Sequence, residues 1–186
     1  MGCGKSSAAR ALADRGFALV DSDRLIRDDI LTRPEVKEKL RARYGETVLA
    51  VDGTVDRPAL AARVFADDTE RLWLEQLTHP LLFALWRRLL GGEPGRRWVI
   101  EVPLLFEQGL EIWFDFTICV ACSPAQQLAR LEQRGLSRAL AGQRISKQLP
   151  LARKIELADL VLWNDGSAAF LGEQIDRLVS EPPAGR

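Results

Sequence analysis

Gly2-Cys3-Gly4-Lys5-Ser6-Ser7 combines the residue types that gripping a phosphate requires. Glycines let the backbone approach an anion closely and turn successive N–H groups toward it. A lysine can reach the β- and γ-phosphates of a nucleotide, and a hydroxyl can coordinate Mg²⁺. The order Gly4-Lys5-Ser6 matches the second half of the phosphate-binding loop G-x-x-x-x-G-K-[ST], whose first glycine, counted back from Gly4, falls before Met1. The bland alternative is a glycine-rich tail ahead of an ordinary helix. A second group is Asp21-Ser22-Asp23, where a carboxylate can orient an attacking hydroxyl or take its proton. For an isolated pair of this kind, helix capping at a strand end is the commoner role, and its coupling to a phosphate loop favours chemistry for Asp23. A third group is the set Arg130, Arg134, Arg138, Arg144, Lys147 and Arg153. Guanidinium groups can bridge the oxygens over which phosphoryl transfer spreads charge, although a charge run on a helix is usually a solvated face.

These groups need a scaffold, and the hydrophobic pattern supplies one. Lys5 to Arg15 carries Ala8, Ala9, Ala11, Leu12 and Ala13 and stops at Gly16, which predicts a helix whose positive end faces the glycine loop. Phe17-Ala18-Leu19-Val20 predicts a buried strand delivering Asp21 and Asp23 at its carboxyl end, where ligands gather in open α/β sheets. Both carboxylates would share a face if the strand continued through them. Further strands are predicted at Trp98–Val102, Phe116–Val120 and Leu160–Trp163, separated by helical patterns, which implies βαβ units and a mainly parallel sheet.

The chain between Asp23 and Trp98 is far longer than one crossover needs. Val36, Leu40 and Tyr44 fit one helix, and Leu60, Val64 and Phe65 fit a second. Leu74, Leu77, Leu81, Leu85 and Leu89 fit a third region, interrupted near Pro80, and Asp52-Gly53 makes a turn between helices. This stretch reads as an inserted helical subdomain, and Pro124 to Arg153 as a second insertion suited to a mobile cover that excludes water. Ser180 to Arg186 reads as a frayed tail.

Composition narrows the function. Hydrophobic residues at 47% and charged residues at 28% suit one globular domain, or a core with an inserted subdomain. Lys plus Arg and Asp plus Glu are 26 each, so overall charge gives no signal for nucleic acid and phosphate binding must be local. No apolar run approaches the roughly 18 residues of a membrane span, and no secretory leader pattern is evident, so the reading is cytoplasmic. Cys3, Cys119 and Cys122 cannot make an even disulfide framework and fit a reducing compartment. Cys119-Val120-Ala121-Cys122 has C-x-x-C spacing, but a structural zinc site needs four ligands and the sole histidine is His79; core packing is the better reading.

Taken together, these motifs resemble the dephospho-coenzyme A kinase family, from Met1 to about Val179. Gly2-Cys3-Gly4-Lys5-Ser6 matches the family's phosphate loop, and Val20-Asp21-Ser22-Asp23 its V-I-D-A-D segment with Ser for Ala. Asp52-Gly53-Thr54-Val55-Asp56-Arg57 is similar to D-G-T-L-D-R, and Leu77-Thr78-His79-Pro80-Leu81 to L-x-H-P-L. Pro103-Leu104-Leu105-Phe106-Glu107 matches P-L-L-F-E, and Gln127 to Leu131, Arg134 to Ser137, Arg144-Ile145, Gln148 and Pro150 follow the lid pattern. Ala158-Asp159-Leu160-Val161-Leu162-Trp163-Asn164-Asp165-Gly166 resembles the closing A-D-x-V-I-x-N-x-G. The lid departs from the family after Leu136-Ser137, where the usual acidic residues are missing.

The resemblance implies an α/β fold of P-loop kinase type, three layers αβα around a mainly parallel sheet, with a helical substrate subdomain and a helical lid. The implied organisation is a single domain over 1–186: core 1–23, 95–123 and 154–180, coenzyme-binding insertion 24–94, lid 124–153, and tail 181–186. The implied activity is transfer of the γ-phosphate of ATP to the ribose 3′-hydroxyl of dephospho-coenzyme A, with Mg²⁺, by a cytoplasmic monomer that binds neither nucleic acid nor membrane. Lys5, Asp23 and Arg130 would be catalytic; Gly2, Cys3, Gly4, Lys5, Ser6, Ser7 and Asn164 would hold ATP, with Ser6 on the metal. Asp23, His79, Pro103, Leu104, Leu105, Phe106 and Glu107 would bind the acceptor, His79-Pro80 acting mainly by starting a helix at its first position. In this fold the strand before the phosphate loop is central, and the recorded start is expected to lie inside a longer chain. A sheet lacking that strand would leave buried backbone groups unpaired, at roughly 1–3 kcal/mol each. Two other readings fit the loop: a P-loop kinase with another acceptor, such as a nucleoside monophosphate, or an inactive nucleotide-binding fragment.

Overall fold

The computed structural model describes residues 1–181, and Pro182–Arg186, most of the expected tail, lie outside the described residues. The chain divides into two compact units: Met1–Leu19 together with the chain from Arg97 onward, and Val20–Arg96.

In the first unit, α1 (Lys5–Ala13) starts on Gly4, whose φ of 97° lies in the left-handed region that glycine alone enters freely. It ends where Gly16 N–H reaches the Ala13 carbonyl and Phe17 N–H the Leu12 carbonyl, a glycine-mediated stop. Strand β1 (Ala18–Asp21) begins with Ala18 N–H donating to the Arg97 carbonyl at 2.8 Å, beside β2 (Trp98–Glu101). Strands β3 (Ile118–Ala121) and β4 (Leu160–Trp163) pair in parallel, Ile118 opposite Leu160 and Ala121 opposite Trp163. The strands therefore form two two-stranded sheets, and among the described residues no ladder joins β2 to β3.

Three helices come between β3 and β4: α6 (Pro124–Gln133), α7 (Arg138–Ser146) and α8 (Leu151–Leu157). Ser123 and Ser137 cap the first two, each hydroxyl accepting a backbone N–H three residues on. After β4, α9 (Ala168–Ser180) is capped by Ser167 and turns Leu171 and Ile175, four residues apart, inward. They pack with Ala8, Leu12, Val120 and Leu162, so one core seats the helix that follows the glycine loop against β3, β4 and α9.

The second unit is helical. Asp21 accepts the Arg24 N–H and starts α2 (Ser22–Leu25), which widens into a π-helical turn over Ile26–Ile30. Then come α3 (Pro34–Tyr44), α4 (Arg57–Ala66) and α5 (Asp68–Gly92). Ile30, Val36, Leu40, Val48, Leu82 and Trp86 are buried. The turn at Asp52-Gly53 is a small hairpin: Leu49 bridges Val55 antiparallel, and Asp52 accepts both the N–H and the hydroxyl of Thr54.

Two expectations are corrected. The helix through Leu74 to Leu89 is not interrupted at Pro80 but runs unbroken from Asp68 to Gly92. Pro80 therefore does not start a helix at its first position. It sits inside one, where its missing N–H deprives only the carbonyl of Gln76. Gln76 and Pro80 are both exposed, so water can replace that bond. The strand carrying the two carboxylates ends at Asp21, so Asp21 and Asp23 do not share a strand face. Asp21 takes the capping role, and Asp23 stands in the first helical turn.

Candidate active site

The glycine loop is held from behind by two side chains that arrive from distant sequence. The Asn164 amide, just past β4, donates to the Cys3 carbonyl at 2.8 Å. Arg130 of α6 donates to the Asn164 carbonyl at 2.7 Å and more distantly to the Cys3 carbonyl. Gln127, one turn earlier on α6, donates to the Met1 carbonyl at 2.6 Å. The fit is tight enough that a Cβ on Gly4 would stand 2.1 Å from the Asn164 amide nitrogen, and one on Gly2 would stand 3.0 Å from the Gln127 carbonyl oxygen. Gly2, like Gly4, has positive φ, at 78°. Both glycines are thus required by conformation and by space.

Ahead of the loop, Lys5 Nζ and Ser6 Oγ converge on one oxygen, Glu101 Oε1, at 2.9 Å and 2.7 Å. Glu101 is the last residue of β2 and its side chain is only 11% exposed, whereas that of Lys5 is 45% exposed, so the cation can swing toward an arriving anion. Glu101 escaped the sequence reading, although its signal was there: an acidic residue closing an otherwise apolar strand. Lys5, Ser6 and the carboxylate form a set that fits a hard cation between a hydroxyl and an acid, next to a helix N-terminus that favours phosphate.

Arg130, expected to bind phosphate from the lid, lies on α6 with its guanidinium on the carbonyls of Asn164 and Cys3, and Cys3 is buried. Cys119 and Cys122 are also free, buried thiols. Burial pushes Cys119 up to about 11, and burial followed by contact with Cys3 pushes Cys122 up to about 12, so both stay neutral and pack as small apolar groups. Among the described residues no cluster of three or more His, Cys, Asp or Glu is placed to hold a metal ion.

Pro103 to Glu107 form the loop after β2. Leu104 takes φ of 54°, a left-handed conformation that costs a leucine energy. It is fixed by bonds from Gln108 N–H to the Leu104 carbonyl and from Leu110 N–H to the Leu105 carbonyl. Glu107 turns toward α8, where Oε1 accepts from Lys154 Nζ at 2.7 Å and from the Leu149 N–H at 2.9 Å. In the second unit, Asp23 is exposed on α2, and His79 of α5 stacks on Phe83 with ring centroids 5.6 Å apart. Burial holds the His79 imidazole below its ordinary value, with Glu75 opposing weakly. The first unit thus brings together Gly2 to Ser7, Arg130 and Asn164, while Asp23 and His79 belong to the second.

Comparison with known proteins follows the same lines. The model of the family described as dephospho-CoA kinase matches residues 1–169. The dephospho-CoA kinase of Thermosynechococcus vestitus is 42% identical over 180 residues, covering 96% of this chain and 89% of its own. That of Synechococcus elongatus is 40% identical over 181 residues, covering 96% and 87%. Among solved structures, TT1252 from Thermus thermophilus superposes with a TM-score of 0.84 at 33% identity, over 98% of this chain and 94% of that one. The dephospho-CoA kinase from Campylobacter jejuni, at 24% identity, shares the fold with a TM-score of 0.70 over 97% and 92%. With a glycine loop clasped by Asn164 and Arg130 and a family match running almost end to end, this chain belongs to the dephospho-CoA kinase family.

Proposed function

We propose how this chain divides the work of the reaction its family carries out, the ATP-dependent phosphorylation of dephospho-coenzyme A in coenzyme A biosynthesis. The backbone N–H groups of Gly2 to Ser7 and the N-terminus of α1 bind the phosphates of ATP. Lys5 leaves Glu101 to meet the β- and γ-phosphates and stabilises charge as the γ-phosphoryl moves. Asn164 and Arg130 keep the loop in its anion-binding shape, and Arg130, with its positive charge beside that loop, adds to the field that favours the transfer. Asp23 orients the ribose 3′-hydroxyl of the acceptor and takes its proton. Pro103 to Phe106 in the first unit bind the acceptor, and His79 of the second unit is a further acceptor-binding residue.

Ser6 and Glu101 would hold Mg²⁺, for which a hydroxyl and a carboxylate 2.7 Å apart are a suitable oxygen pair. Bound there, the ion would supply positive charge against the negative charge that develops during transfer. The reading extends to a monomer working in the cytoplasm on a small molecule, without nucleic acid or membrane. The reading without nucleic acid is supported by the balance of 26 basic and 26 acidic residues. Among the described residues no helix is long and apolar enough to cross a membrane.

The observation that carries this reading is the convergence of Lys5 and Ser6 on Glu101 at the head of the clasped loop. A coupled ADP assay across dephospho-coenzyme A and a panel of nucleoside monophosphates tests it, with phosphorus NMR locating the new phosphate. Transfer to the 3′-position of dephospho-coenzyme A is expected. A preference for a nucleoside monophosphate would replace the acceptor, and no transfer to any acceptor would leave only nucleotide binding.

A further inference from the structure

Glu107 belongs to a loop assigned to the acceptor, yet its carboxylate is already engaged by other parts of the chain. Oε1 already accepts two donors, Lys154 Nζ and the Leu149 N–H, and Oε2 is buried with no hydrogen-bond partner among the described residues. The side chains of Glu107 and Lys154 are each 18% exposed, so salt screens the pair far less than a surface pair. Both donors lie in the segment that returns from α7 to β4. Leu149 precedes Pro150, which disfavours helical backbone at Leu149, so α7 and α8 must be separate bodies with a joint between them. The other joint, between α6 and α7, contains Gly135 at φ of 84°. Thus α7 is carried between two bends, and Glu107 ties down the second.

We propose that Glu107 is a positioning residue that fixes the base of the lid: through Leu149 and Lys154 it sets where α7 swings, and it acts on phosphoryl transfer without touching the acceptor. The proposal rests on the reading of residues 124–153 as a lid over the transferred phosphate. The charge is needed because a neutral acceptor would leave the Lys154 ammonium, itself mostly buried, without its counter-ion. A lid with a loose base closes less often, admits water, and lets ATP be hydrolysed in place of being transferred.

The test compares Glu107→Ala, Glu107→Gln, Lys154→Met and Lys154→Arg with the unaltered chain. It measures KM for each substrate, kcat, and ADP formed per coenzyme A formed. Glu107→Ala and Lys154→Met are each expected to raise the ADP-to-product ratio and lower kcat by about tenfold, with KM for dephospho-coenzyme A little changed. Lys154→Arg should restore most of the coupling. Glu107→Gln, which keeps an acceptor for Leu149 but loses the charge, should fall between. The double change Glu107→Ala with Lys154→Met should be no worse than Glu107→Ala alone, because that change already removes the interaction with Lys154.

A large rise in KM for dephospho-coenzyme A in Glu107→Ala, with Lys154→Met behaving normally, would overturn the proposal in favour of direct acceptor contact. Hydrogen exchange at the Leu149 amide gives an independent readout that needs no activity. Protection in the unaltered chain that falls in Glu107→Ala while β3 and β4 stay protected supports the tie, and unchanged protection refutes it. Failure of the unaltered chain to phosphorylate dephospho-coenzyme A would instead count against the function assigned above, and the exchange result would stand apart from it.

Discussion

The Asn164 side chain reaches across 161 residues of sequence to hold the Cys3 carbonyl, and it occupies the space that any side chain at position 4 would need. The loop's shape is therefore set by packing with β4's exit as much as by the freedom of glycine. Replacing Gly4 by Ala should combine a strained φ with a collision, whereas Gly53, at φ of 75° with open space around it, offers the strain alone. Gly53→Ala is expected to cost about 1–2 kcal/mol of stability and to leave nucleotide binding intact. Gly4→Ala should cost more and should weaken ATP binding by at least about tenfold, as read by urea unfolding and calorimetric titration. Equal effects at the two positions would remove Asn164 from the account.

Glu101 and Ser6 meet at 2.7 Å, and the same carboxylate oxygen holds Lys5. If they share a metal, Glu101→Gln and Ser6→Ala should each weaken the apparent Mg²⁺ affinity by about 10–100-fold when activity is titrated with the ion at saturating ATP. Nucleotide binding without metal should change much less.

Lys5 and Asp23 are exposed or half-exposed side chains with little part in either core. Lys5→Ala and Asp23→Asn are expected to lower kcat by about 10²–10⁴ while leaving the unfolding midpoint within a few degrees. An Asp23→Asn chain with near-normal turnover would strike that residue from the mechanism.

His79 supplies a pH signature of the helical unit. Burial lowers its folded-state pKa below the unfolded value, so the unfolded chain takes up the proton first as pH falls. This group's contribution to stability is complete above about pH 6.5 and is lost as pH drops from there through the lower folded value. Urea unfolding at pH 7.5 and at pH 5.5 should show the decline, and His79→Gln should flatten it over that interval. A His79→Gln chain with an unchanged slope would assign the effect to other groups.

Much of this organisation was legible in the sequence, and the reasons differ by element. The strands ending near Glu101, Ala121 and Trp163 were readable because apolar runs between helical patterns have few other uses. The helix after Lys5 was readable because alanine-rich sequence begins at a glycine loop and ends at Gly16. Pro80 misled because a proline's effect depends on which face of the helix it occupies, and exposure is a property of the assembled unit. The division of labour between Asp21 and Asp23 turned on where a strand of four residues stops, the least certain quantity in any such reading. Glu101 was legible as an acid closing an apolar strand, but its partners Lys5 and Ser6 come to it only through the fold. Arg130 was visible as a cation, but its grip on two backbone carbonyls depends on contacts with residues 3 and 164.

The pairing of β3 with β4 is also the frame on which the phosphate grip hangs. Asn164 follows directly on β4, so the parallel register that sets Ala121 opposite Trp163 also sets where the Asn164 amide meets the Cys3 carbonyl.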